Sequence, residues 1–260
     1  MPAEPDQPMP PAVSVVIPVL NDEPALARLL DTLPPRPGYE VIVVDGGSDP
    51  AVDALCARHP DVRLIRAPAG RGGQMNAGAA VSTGAWLFFL HADSSLPEGW
   101  PAAIAGTQAN GDSASSSTSH GARPVASHVG GWFRFALDDR AWQARVIEWL
   151  VAGRVALLSL PYGDQGFFVR RDVFAAMGGF RDIPLMEDVE FARRLVRHGP
   201  VRRSPLALVT SARRWQRDGW FRRSARNVGL VGLYFLGVDP ARLARLYPPP
   251  SGPVSGSTVS

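Results

Sequence analysis

Residues 13–23, VSVVIPVLNDE, followed by residues 40–49, EVIVVDGGSD, decide the fold. Each opens with a β-branched run and stops in turn chemistry, Pro18 in the first and Asp45-Gly46-Gly47-Ser48 in the second. Between them Leu26, Leu29, Leu30 and Leu33 recur at helical spacing within Glu23 to Leu33, so the unit reads strand, helix, strand. The alternation continues with Pro50 to Arg58 as a helix and Val62 to Arg66 as a short strand. A helix starting near Gln74 runs to Val81, and the apolar stretch Ala85 to Leu90 is a fourth, buried strand. Short links between such elements predict a mostly parallel α/β sheet with helices on both faces. Ligands of these sheets sit beyond the carboxyl ends of the strands. Pro18, Asp45 and Asp93 all fall at that edge.

Downstream the pattern changes. Gly106 to His128 contains Ser113-Ala-Ser-Ser-Ser-Thr-Ser119, a composition that builds no core, and is expected to be a mobile insertion. Trp132 to Leu137 returns to strand-like alternation. Ala141 to Leu158 reads as an amphipathic helix, with Trp142, Val146, Trp149 and Leu150 as candidates for one face. Gly166 to Arg170 is another strand, and Arg171 to Met177 a short helix closed by Gly178-Gly179. Asp188 to His198 is a helix ended by Gly199, with Val189, Leu195 and Val196 inward. Val228 to Val238 carries no charge, but falls short of the roughly 20 residues that span a bilayer. It is either a terminal helix packed on the domain or, with Trp215, Trp220, Phe221 and nearby arginines, a segment lying on a membrane. The expected organisation is a disordered stretch at 1–12, a domain at 13–214, a basic aromatic helical extension at 215–247 and a disordered tail at 248–260.

Composition excludes several chemistries. All 27 basic residues are arginine, so lysine Schiff-base chemistry and a P-loop lysine are ruled out. Cys56 is the one cysteine, which rules out an intramolecular disulfide and a multi-cysteine metal cluster. Cysteine usage and the proline-rich, polar start from Met1 to Pro11 point to the cytoplasm, with contact at the inner face of the cell membrane as the companion expectation. Net charge is +3, yet Arg193 to Arg245 holds thirteen arginines against Asp218 and Asp239. Such a segment favours phosphate-bearing partners: a nucleotide or anionic lipid. No nucleic-acid-binding signature accompanies it.

Three short stretches carry candidate chemistry. Leu90-His91-Ala92-Asp93 sets a carboxylate where a buried strand leaves the sheet, suited to a divalent cation against a diphosphate. On spacing alone, Asp93 serves equally as a turn or helix-capping residue before Ser94. Gly70-Arg71-Gly72-Gly73-Gln74 is a glycine-rich turn into a helix, where backbone approaches an anion, or else a tight connector. Glu187-Asp188 precedes a helix; the pair complements the helix dipole, or Asp188 is a general base beside the metal site.

In order, these segments resemble the family 2 glycosyltransferases of the GT-A fold, a Rossmann-like, mostly parallel sheet flanked by helices. VSVVIPVLNDE, EVIVVDGGSD, RGGQMNAG (71–78) and LFFLHAD (87–93) match the donor-binding half. YGDQGFFVRR (162–171), Gly178-Gly179-Phe180 and PLMEDVEFARRL (184–195) match the acceptor half. LHAD, PYGDQG and PLMEDVEF are most similar to a bacterial subgroup often labelled arsenosugar-biosynthesis-type, a label that assigns no substrate. The resemblance covers about Val13 to Arg214. It implies a nucleotide pocket lined by Pro18, Asp22, Asp45 and Arg71, and metal and diphosphate binding at Asp93, with His91 beside it. It further implies catalysis by Asp188 with Glu187 alongside, and an acceptor site shaped by Gly163, Asp164 and Gln165. The implied reaction is a single displacement, assisted by Mg²⁺ or Mn²⁺, that moves one sugar from a nucleoside-diphosphate sugar to a hydroxyl of a small metabolite or lipid carrier, with inversion.

This chain departs from the pattern in three places. His91 replaces the first aspartate of the Asp-x-Asp element, Leu20 stands where relatives place a base-stacking tyrosine, and Gly46 replaces the second aspartate of an Asp-Asp-Gly-Ser turn. Ser211-Ala-Arg-Arg-Trp215 only approaches the Gln-x-x-Arg-Trp motif of processive synthases, which favours transfer of one sugar. Two rivals share the scaffold: a nucleotidyltransferase that makes a nucleotide sugar, and a non-catalytic nucleotide-sugar-binding protein. Pro18-Val19-Leu20-Asn21 lacks the glycine-rich, basic signature the first would carry after its opening strand.

Overall fold

Strand β1, Val13–Val19, is the axis of the molecule: it pairs in parallel with β2, Tyr39–Asp45, on one side and with β4, Trp86–Phe89, on the other. Its side chains alternate between two cores. Val13, Val15, Ile17 and Val19 enter one apolar cluster, while Val16 enters the other. A strand buried on both faces needs β-branched residues at nearly every position, which is what the sequence supplies. The first cluster is closed by α1 (Glu23–Thr32), α2 (Pro50–Ala57) and α4 (Trp100–Ala105). The second is closed by α3 (Arg71–Val81), α6 (Arg171–Ala176) and α7 (Glu187–His198). Each fully buried leucine or phenylalanine here contributes about 1.5–3 kcal/mol.

The structure is a computed structural model describing residues 12–33, 38–105 and 128–247. The expected disordered segments at 1–12 and 248–260, and the serine-rich insertion at 106–128, lie outside the described residues except for Ala12 and His128. The remaining elements are β3 (Val62–Arg66), β5 (Ser94–Ser95), β6 (Gly130–Leu137), α5 (Trp142–Leu158), β7 (Phe167–Arg170), β8 (Val201–Thr210), α8 (Arg213–Asp218), α9 (Trp220–Phe235) and α10 (Pro240–Leu246). The described strands form one sheet in the order β3-β2-β1-β4-β7-β6-β8-β5. Strands β7 and β5 are antiparallel to their neighbours, and the other six run in one direction. The sheet is therefore α/β and mostly parallel, as expected.

Helix α3 lies directly on the sheet because Gly78 has no side chain. A Cβ there would stand 2.3 Å from Val16 Cγ1 and 2.9 Å from Val44 Cγ2. The helix begins at Arg71, a turn earlier than the apolar spacing from Gln74 indicated. Gln74 is buried in its first turn and donates to Val19 O and Val44 O, tying the helix start to the ends of β1 and β2.

Two expectations about helices are corrected. Trp142, Trp149 and Leu150 do share a side of α5, but that side faces solvent; Ala144, Ile147 and Val155 pack inward. The last stretch, Val228 to Val238, is neither wholly core nor wholly surface. Leu230 and Val231 are buried with Leu160, Met186, Val189 and Leu243, whereas Val228, Phe235 and Leu236 are exposed. Trp215, grouped in the sequence with membrane-facing residues, is buried against Phe135. Helix α8 spans position 214, where the sequence placed the end of the domain.

Candidate active site

Because β7 is reversed, its start lies beside the end of β4: Phe89 is opposite Phe167. The turn before β7, a 3₁₀ turn at Gly163–Gln165, therefore meets the turn after β4, His91 to Asp93. Ser94 pairs with Thr210 at the end of β8, and Ser211 N donates to Asp93 O at 3.0 Å. That contact brings Arg213 and Arg214 to the same edge. The start of α7 completes the rim: Gly163 N donates to Asp188 Oδ2 at 2.8 Å.

These segments enclose a cleft with a cavity volume of about 100 Å³, lined by Arg71, His91, Asp93, Tyr162, Gly163, Asp164, Asp188, Thr210, Arg214, Trp215, Arg223, Asn227 and Tyr247. Asp93 and Asp188 thus share one cleft. Asp93, only 4 % exposed at its side chain, faces Arg214 at 3.1 Å and Arg213 at 3.8 Å. Burial favours its neutral form, but Arg214 and the other facing charges prevail and hold its carboxyl below the ordinary value. His91 is driven the other way. Burial, then the Arg71 guanidinium, lowers its imidazole to about 3, so it is neutral at pH 7. Asp164 is pushed up to about 6, chiefly by burial, and its Oδ1 is buried without a partner.

Gly163 is required by crowding. A Cβ at that position would stand 2.9 Å from His91 Nε2 and 3.4 Å from Asp188 Oδ2. Met186, just before Glu187-Asp188, holds a left-handed backbone, φ 71°, that side chains seldom adopt. Its side chain is buried with Leu160 and Val189, and this packing holds the conformation.

The other residues singled out in the sequence are near the cleft but do not line it. Glu187 is turned away: its carboxylate pairs with Arg71 at 3.1 Å, which keeps that guanidinium charged and fixed. Burial raises the Glu187 carboxyl against that pairing. Pro18 and Asp45 end β1 and β2 at the same sheet edge. Asp45 is paired with Arg66 and accepts Gly47 N at 2.9 Å. Asp22 precedes α1 and pairs with Arg213. Gln165 is a scaffold residue: it donates to Phe133 O at 3.1 Å and accepts from Tyr162 N at 3.3 Å. Reading the sequence missed Tyr162, Thr210, Arg214, Trp215, Arg223, Asn227 and Tyr247 as lining residues. Arg214-Trp215 had a visible signal in its likeness to a synthase motif.

A divalent cation is tested by the donors present. No group of three histidine, cysteine or acidic side chains that could hold a metal ion occurs among the described residues. His91 and Asp93 nevertheless offer a neutral imidazole and a carboxylate on one turn, facing the cleft. A cation that takes its other ligands from a diphosphate needs only one or two protein ligands, so the residues fit.

Residues 14–151 match the profile of Glycosyl transferase family 2. The chain is 30% identical over 260 residues to a pre-mycofactocin glycosyltransferase of Mycobacterium tuberculosis, covering 95% of this chain and 51% of that protein. It is thus about half the length of that relative. It is also 30% identical over 196 residues to an uncharacterized glycosyltransferase of Mycobacterium tuberculosis, covering 70% of this chain and 86% of that one. Among solved structures it resembles a mannosyltransferase from Pyrobaculum calidifontis in complex with GDP-Man and Mn²⁺. The TM-score is 0.54 at 21% identity, over 77% of this chain and 56% of that one. At that identity the likeness is one of fold, the GT-A arrangement.

Proposed function

The chain belongs to glycosyl transferase family 2, and on that premise we propose that it moves one sugar from a nucleoside-diphosphate sugar to a hydroxyl acceptor with inversion. The observation that carries this reading is the shared cleft: Asp93 and Asp188 line the same cavity, with Arg71, Arg214 and Gly163 around them. Asp188 is the general base. Its Oδ2 is fixed by Gly163 N at 2.8 Å and its Oδ1 accepts Val189 N at 2.7 Å, so it is aimed before an acceptor arrives. The acceptor hydroxyl gives its proton to Asp188 as its oxygen attacks the anomeric carbon from the side opposite the diphosphate.

Arg71 and Arg214 face the departing phosphates, and Glu187 acts as a positioning residue for Arg71. Asp93, with His91, would hold Mg²⁺ or Mn²⁺, which supplies charge neutralisation for the leaving diphosphate. The nucleoside is expected over Pro18, Asp22 and Asp45. Asp164, protonated up to about 6, offers the acceptor a hydrogen bond from the cleft wall. The acceptor is a small metabolite or a lipid-linked alcohol, and the likeness to the arsenosugar-type subgroup selects neither.

The test is release of nucleoside diphosphate from a panel of nucleotide sugars in the presence of Mn²⁺. Slow hydrolysis of one donor is expected, abolished in Asp93→Ala and much reduced in Asp188→Asn. Pyrophosphate release from a nucleoside triphosphate would replace this reading with a nucleotidyltransferase. Stabilisation by a nucleotide sugar without turnover, across acceptors, would replace it with a binding protein.

A further inference from the structure

The large apolar side chains left in water are concentrated on two helices. On α5, Trp142 is 64%, Trp149 74% and Leu157 85% exposed; on and just past α9, Phe221 is 48%, Val228 61% and Leu236 82% exposed. Spacings of seven and eight place each set along one side of its helix. The helices touch, with the Trp142 and Phe221 rings 5.8 Å apart, so the two sides make one surface. Soluble monomers seldom leave such a patch uncovered.

The charge on the outer side of α9 is positive. Helix α9 contains no acidic residue, and Arg222 is exposed on its outer side with Ala225 and Gly229. On α5, Arg145 stands between Trp142 and Trp149, but it pairs with Glu148, the one acid of that helix, at 2.8 Å and donates to Asp139 O at 2.8 Å, so it adds no net charge to the face.

We propose that the α5–α9 face is a docking surface for an anionic lipid bilayer. Tryptophan and leucine enter the boundary between headgroups and acyl chains, while Arg222 meets lipid phosphates. Among the described residues no helix is long and apolar enough to cross a membrane, so the contact lies in the plane of the interface. Helix α9 also contributes Arg223 and Asn227 to the cleft. Docking therefore sets the cleft beside the headgroups, where a lipid-linked acceptor is presented. That consequence rests on the sugar-transfer reading; the docking itself does not.

Flotation with vesicles of phosphatidylcholine alone, and of phosphatidylcholine with an equal share of phosphatidylglycerol, tests the proposal. The wild type should float with the mixed vesicles at low salt and less so at high salt. Trp149→Ser with Leu157→Ser should weaken partition at least about tenfold, as loss of two buried apolar side chains requires. Arg222→Glu should reduce the salt-sensitive part. Trp149, Leu157 and Arg222 are exposed, so melting curves and lipid-free donor hydrolysis should match the wild type. Wild-type protein left in solution with mixed vesicles at low salt would overturn the proposal. So would equal binding to neutral vesicles, or undiminished binding by both variants. A dimer that the Trp149→Ser, Leu157→Ser pair dissolves, without vesicle binding, would assign the face to a second copy and also overturn it. Vesicle binding without donor turnover would instead fail the sugar-transfer reading alone.

Discussion

Gly163 meets two demands at once. Its N–H fixes Asp188, and its lack of a side chain leaves room for His91 Nε2. In Gly163→Ala the new methyl would press His91 or Asp188 out of place. Misplacement of about 1 Å can cost 10²-fold in rate, so donor hydrolysis should fall by about that factor while the melting temperature changes little. For Asp188→Asn, removal of the general base should lower kcat by roughly 10²–10⁴, with donor KM nearly unchanged because Asp93 and the arginines remain; a rise in KM alone would remove Asp188 from the base role. Asp164 gives a pH signature. Its carboxyl is raised to about 6 in the folded chain, so folding favours the protonated form. That contribution is complete below the ordinary carboxylate range and is lost as pH rises through about 6, a change on the order of 3 kcal/mol. Asp164→Asn, neutral at every pH, should therefore gain stability relative to the wild type between about pH 4 and about pH 7. Melting curves that stay parallel across that interval would refute the assignment.

At the scale of elements, Gly78 decides how closely α3 can approach the sheet. Gly78→Val would drive methyl groups into Val16 and Val44, and overpacking of this kind costs about 1–3 kcal/mol, measurable as a lower urea midpoint. Strands β1 and β2 were legible because burial on both faces demands β-branched residues, β4 because it is an unbroken apolar run, and α1 because its leucine spacing is strict. Strand β8 was not. Arg202, Arg203, Ser204 and Pro205 break its alternation, and the structure absorbs them where the pairing register with β6 shifts between Trp132 and Arg134. A proline in a strand ordinarily argues against that strand, unless an irregularity takes it. Helix α5 was found with nearly its true ends, but apolar residues alone did not say which side faces the sheet. Its inward residues include the small Ala144, and its largest side chains point out.

For the whole molecule, the acidic parts of the cleft could be read from short contiguous turns, whereas its far wall could not. Arg214, Trp215, Arg223, Asn227 and Tyr247 reach the cleft only because β8 returns the chain to the sheet edge and α9 and α10 fold back over it. The basic extension is therefore part of the site. Tyr247 Oη accepts from Arg223 Nη2 at 3.2 Å, and Leu243, fully buried, anchors the helix before it. Leu243→Ala should cost about 2–5 kcal/mol and, by loosening Tyr247 and Arg223, should also weaken binding of the nucleotide sugar. An independent appendage would change neither the melting temperature of the sheet domain nor donor affinity.

The reversed direction of β7 has a consequence for anyone recombining such chains. Were it to run with its neighbours, the glycine turn would emerge at the opposite rim, about 13 Å away over four residues. Asp188 would then lose its clamp. Polarity of one short ribbon converts an open sheet edge into a two-jawed vice, so hybrids that swap halves should preserve strand heading at the splice before they match sequence.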